Sequence, residues 1–83
     1  MIESGSIVQL SNNKKYLITD STIENNNIYY MTLEVDNESE IPTENSVFFE
    51  HKDNTLIPIN NENDIDFLKK VFINKFLKEY INV

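Results

Sequence analysis

His51 is the only histidine in the chain, and it stands among carboxylates in Glu50-His51-Lys52-Asp53. An imidazole beside acids is raw material for a general base or a metal ligand. A zinc site, however, takes its donors from several histidines and cysteines, and this sequence has no cysteine and no second histidine. The phosphodiesterase pattern H-x-K-x-x-x-x-D is broken too, because Lys52 follows His51 directly. A serine nucleophile needs an oriented base, and for Ser6, Ser11, Ser21, Ser39 and Ser46 the only candidate is His51. With one glycine, Gly5, there is no glycine-rich loop to cradle phosphate. The adjacent Asp53-Asn54 pair reads as a turn, so the expectation for His51 is an exposed histidine at a strand end. No catalytic residue, cofactor or metal is expected.

A second candidate is the acidic stretch Glu34, Asp36, Glu38, Glu40 and Glu44, five carboxylates without a base among them. Oxygen donors at alternate positions can hold Ca²⁺ weakly, but the EF-hand pattern fails for lack of a central glycine and a correctly spaced final glutamate. The bland reading is a solvated loop. A sharper one is a negative strip that imitates nucleic-acid phosphates and occupies a basic site on a nucleic-acid enzyme.

The third candidate is apolar. At 100° per residue, Ile65, Leu68, Phe72, Ile73, Phe76, Leu77 and Tyr80 fall on one broad helical arc, which is expected to face the core. Phe67 and Val71 fall on the other side, near Asn74 and Lys78, with Ile81 extending the same strip. Burying this second set competes with burying the first, so Phe67, Val71 and Ile81 are the expected partner-binding residues. Another protein, or a second copy packed helix to helix across a two-fold axis, is the partner expected.

These residues must be held by a small framework. Eighty-three residues make one domain, 1–83, and nine aromatics with eleven isoleucines supply its core. Tyr16, Tyr29, Tyr30 and Tyr80 could line a peptide groove, but in so small a core they are first of all packing material. Alternation and turn residues predict strands over about 6–59: Ser6–Leu10, Lys15–Thr19 with an extension toward Ile23, Ile28–Val35, Ser46–His51 and Thr55–Ile59. Asn12-Asn13 is expected as a two-residue type I′ loop, Asn25-Asn26-Asn27 as the next turn, and 36–45 as a polar loop. Pro58 should keep the last strand short or at an edge. A polar run, Asn60-Asn61-Glu62-Asn63-Asp64, precedes a helix over about 64–82. The expected fold is mainly β with one C-terminal α-helix: a five-stranded antiparallel meander, or small SH3-like open barrel, with the helix plugging or covering one opening.

Gly5-Ser6-Ile7-Val8-Gln9-Leu10, Asn12-Asn13 and Lys15-Tyr16-Leu17-Ile18 together resemble the opening of small SH3-like barrels found in many bacterial proteins. The pattern, followed by a leucine-rich C-terminal helix, is also similar to short uncharacterised proteins of low-GC Gram-positive bacteria and their phages or other mobile elements. The resemblance implies a fold and a bacterial or phage source. It transfers no functional residue.

Net charge is −7, from 14 acids and 7 lysines, with arginine absent. Residues 1–63 hold 11 acids and 3 lysines, whereas residues 64–83 hold 3 acids and 4 lysines. Such a balance argues against direct nucleic-acid binding, which draws on clustered cations and arginine forks. Met1-Ile2-Glu3-Ser4 lacks the start of a secretory signal, and no apolar run is long enough to span a bilayer. The expectation is a cytoplasmic, non-enzymatic interaction module without a membrane segment.

Overall fold

The computed structural model describes residues 1–81, with side chains to Tyr80. Five strands run in chain order: β1 Ile7–Gln9, β2 Lys15–Glu24, β3 Asn27–Val35, β4 Pro42–Lys52 and β5 Thr55–Pro58, followed by the helix α1 Glu62–Ile81. Each strand pairs antiparallel with the next, so sheet order equals chain order. The sheet is a meander curled into a half-barrel, as expected, and β5 with its Pro58 is short and lies at an edge.

Asparagine and aspartate set the turns because they tolerate positive φ. Asn25-Asn26 and Asp53-Asn54 are two-residue loops with both φ values positive, the type I′ geometry that suits strand twist. The first hairpin differs from expectation. Only Asn13 has positive φ there, and the Asn13 N–H donates to Leu10 C=O while the Leu10 N–H donates to Lys14 C=O. The result is a three-residue Ser11–Asn13 loop, a type I turn closed by one left-handed residue. Gly5, at φ +93°, turns the N-terminal segment so that its N–H reaches Ile18 C=O at 2.8 Å.

β2 follows its expected extension toward Ile23, and β4 starts earlier than its alternation suggests. β2 continues to Glu24 past a bulge at Thr19, whose hydroxyl donates to Met31 C=O. β4 begins at Pro42, so the polar loop shrinks from 36–45 to 36–41 and Glu44 belongs to a strand. Register slips between Leu33 and Val35, and the Thr43 hydroxyl secures the slipped segment by donating to Glu34 C=O. The helix starts at Glu62 because Asn61 caps it, its Oδ1 accepting from the N–H groups of Asn63 and Asp64.

Cross-strand partners share a face, and the sheet carries two apolar layers. One holds Tyr16, Ile18, Tyr30, Thr32 and Phe49, all buried, with Tyr16 packed edge-on against Phe49 at 4.9 Å. The other holds Phe48, Met31 and Tyr29, and on this face the helix lies, burying Leu68 and Phe72 with Ile65 and Ile59 alongside. The helix therefore covers one face of the curled sheet, through Phe48 stacked on Phe72 at 5.8 Å. Leu68 is 1% exposed in the cluster with Phe48 and Phe72, and its truncation leaves a cavity there. Leu68→Ala is expected to destabilise the protein by roughly 2–5 kcal/mol. Urea unfolding measures this, and a loss below 1 kcal/mol, roughly the surface-substitution level, would show that the helix is not docked as described.

Candidate functional site

The helix face expected to be wholly buried is split along its length. Leu68 and Phe72 are buried, and Ile65, Val71 and Lys75 are half-buried. Ile73, Phe76, Leu77 and Tyr80, placed by periodicity on the same broad arc, are between 45% and 67% exposed. The buried stripe is 65–68–72 with 71 and 75 beside it, rotated away from 73, 77 and 80. The sequence held a signal for this: Asp66 and Lys69 occupy the 73/77/80 side one to two turns earlier, and charge there marks a water-facing side.

Lys75 fixes the rotation. Its Nζ lies 2.8 Å from Asp20 Oδ1 and 2.6 Å from Ser21 C=O, tying the second half of the helix to β2. With that side engaged, the opposite side of the helix stands clear of the sheet. A groove of about 640 Å³ runs there, walled by Met31, Phe48 and Ile59 on one side and Ile65, Phe72, Ile73 and Phe76 on the other. Lys69, Ser46 and Asn60 add polar atoms at its margin. Phe76 and Tyr80 pack together at a centroid distance of 4.6 Å and continue the apolar surface beyond the groove. This is a continuous apolar surface along the outer half of α1, with no convergent acid–base pair in it.

Of the strip expected from sequence, Phe67 is 49% exposed and Val71 is half-buried. The Ile81 side chain lies outside the described residues. The exposed apolar surface is therefore larger on the 73–80 side than around Phe67.

His51 is not an exposed residue. It is half-buried on β4, and its Nδ1 lies 3.0 Å from the Tyr30 hydroxyl, which also accepts from the Ile2 N–H at 2.9 Å. The phenol and the imidazole thus share one hydrogen bond, whose donor is set by the imidazole tautomer. No serine joins this chain of hydrogen bonds. Among the described residues no group of three or more His, Cys, Asp or Glu could hold a metal ion.

The acidic stretch does not form a single strip. Glu34 pairs with Lys14 at 3.4 Å, and Glu40 with Lys15 at 3.7 Å. Asp36 turns inward on its own loop, accepting from the Ser39 hydroxyl at 2.8 Å and from the N–H groups of Glu38 and Ser39 at 3.4 Å. Glu38 and Glu44 remain exposed. No family model, no curated protein and no solved structure matches this chain. No helix among the described residues is long and apolar enough to cross a membrane.

The Asp36 loop gives a pH test. Hydrogen bonds to the ionised form, first from the Ser39 hydroxyl and then from the two N–H groups, hold its carboxyl below the ordinary value of 3.8. A depressed folded value means that the loop's contribution is fully present above pH 3.8 and is lost as the pH falls through the lower folded value. An NMR titration should place the Asp36 midpoint below that of an unstructured aspartate, with Ser39→Ala moving it back up. An identical midpoint in both proteins would refute the assigned role of Ser39.

Proposed function

We propose that this protein is a small non-catalytic interaction module that binds another protein through the exposed half of α1 and the groove beside it. The observation that carries the reading is the run Ile73, Phe76, Leu77 and Tyr80, large apolar side chains left open on a well-anchored helix. Isolated exposed apolar residues mean little, but a contiguous patch adjoining a groove is the usual mark of a docking site. Four such residues about half open amount to roughly 400 Å². That falls within the range of the largest patch on a typical monomer, roughly 300–600 Å², which is often functional. Phe67 and Val71 extend the apolar character of the helix on a neighbouring side.

Chemistry is not supported at either polar candidate. His51 is engaged by Tyr30, and the carboxylates nearest to forming a cluster are divided between two lysines and a self-capped turn. The same ion pairs reduce the unpaired charge that an acidic nucleic-acid mimic would present on the 34–44 segment, so the helix reading is preferred.

The test is photo-crosslinking from the full chain carrying a photoreactive phenylalanine analogue at position 76 or, as control, at the exposed turn residue Asn26. Position 76 is expected to give a discrete adduct that position 26 does not, competed by the wild-type chain and not by Phe76→Lys. Equal adducts from both positions, or none specific to 76, would overturn the reading. The mass of the adduct identifies its second component.

A further inference from the structure

The sheet stops short on one side of β4. β5 pairs only with Phe49–Lys52, and Ile59 adds a last bond, its N–H donating to Phe48 C=O at 2.9 Å. The chain then leaves the sheet and enters α1 at Glu62. Residues 42–47 of β4 thus have β3 on one side and no strand on the other. Main-chain groups alternate in direction along an antiparallel strand. Val47 turns toward β3, whose Thr32 hydroxyl donates to its C=O, and Phe48 turns toward β5. Ser46 therefore points its N–H and C=O the same way as Phe48, into the row that β5 vacates. No bond from the described residues reaches either group.

That row borders the apolar groove. Ser46 and Asn60 line the groove beside Ile59, with Ile73 and Phe76 of the helix across from them. From this open edge, and resting on the reading of α1 and its groove as a docking surface, we propose that the partner enters as an extended strand of another protein. The strand lies in the vacated row, exchanges main-chain hydrogen bonds with Ser46, and sends every second side chain to the helix face of the sheet. Those side chains are apolar, because they meet Ile59, Ile73 and Phe76. Lys69 is the one charged residue in the groove wall and makes no ion pair among the described residues, so the segment carries a carboxylate near it.

The other sheet edges offer less. β1 is three residues long, and β5 carries Pro58, which has no N–H to give. Pro42 and the exposed Glu44 discourage pairing further along β4, which confines the visitor to a short segment at the groove. A second copy of this chain would bring a further charge of −7 to the same acidic strand end, whereas a segment chosen for a single carboxylate beside Lys69 meets no such repulsion.

The test is selection of binders to the full chain from a displayed library of random linear peptides. The selected sequences are expected to place apolar residues at every second position, with an acid among them. In a synthetic copy of one such peptide, N-methylation of the amide that faces Ser46 should weaken binding about tenfold or more, and methylation of its neighbours should not. Ser46→Pro should abolish binding with an unchanged circular dichroism spectrum, because the lost N–H faces the vacated row and takes no part in the ladder with β3. Selected peptides with apolar residues three and four apart, or binding that survives both Ser46→Pro and the N-methyl scan, would overturn the strand while leaving the interaction module in place. Failure to select any peptide also overturns the strand, and the module then stands or falls on the crosslink from position 76. An adduct from position 76 with twice the 9.8 kDa mass of the chain would name a second copy as the occupant and overturn the proposal.

Discussion

Strand alternation sends Phe48 and Phe49 to opposite faces of β4, and each becomes the aromatic centre of a separate apolar layer. Phe49 meets Tyr16 on one face; Phe48 stacks on Phe72 of the helix on the other. Adjacent residues in one strand thereby join the interior of the curled sheet to the helix contact. A half-barrel alone would leave Phe48, Met31 and Tyr29 in water, and a lone helix with this composition would not hold its shape. Docking at Phe48 satisfies both, which is why the sheet and helix form one unit although their contact rests on a few side chains.

That contact determines what is left over. A twenty-residue helix is about 30 Å long, and the aromatic patch beneath it meets mainly its first half. Ile65, Leu68 and Phe72 saturate the patch, and Lys75 anchors the next turn through Asp20 and Ser21. Polar demands inside the molecule are met: no buried side-chain nitrogen or oxygen among the described residues lacks a partner. Of two fully buried hydroxyls, that of Thr32 donates to Val47 C=O and that of Tyr30 is hydrogen-bonded with His51 Nδ1. The unmet demand is therefore apolar and lies on the outer half of α1. The docking role proposed above draws on such apolar exposure, whereas an active site draws on strained or under-satisfied polar groups.

Much of the fold was legible because its signals are local. Asn25-Asn26 and Asp53-Asn54 declare their hairpins through the left-handed tolerance of those residues, Pro58 declares an edge, and asparagines before Glu62 declare a helix start. The misreadings arose where tertiary context decides. Two asparagines at 12 and 13 suggest a two-residue loop, but Leu10 bonds to Lys14, which leaves three residues between them. Residues 42–45 look like loop because Pro42, Glu44 and Asn45 are poor strand formers, yet Thr43 supplies a side-chain bond that carries them along β3. His51 appears exposed from its place beside a turn, and only the fold brings Tyr30, twenty-one residues earlier, onto its ring nitrogen.

The site was half legible, and the reason is geometric. Periodicity gives the direction of each helix side chain but not the extent of the surface opposite, so an arc from Ile65 to Tyr80 looks like one buried face. The charges at Asp66 and Lys69 divide that arc, and Lys75, sitting near the Leu68 and Phe72 stripe, marks the side that turns toward Asp20. Once rotation is fixed by Phe72 below and Lys75 at the flank, Ile73, Phe76, Leu77 and Tyr80 are presented on a preformed backbone. A partner docking there, as proposed, would order little main chain, which lowers the entropic cost that otherwise consumes the gain from a small apolar interface. A weak hydrophobic patch on a rigid helix is therefore more useful for recognition than the same residues on a loop, and the two aromatic anchors give it shape as well as area.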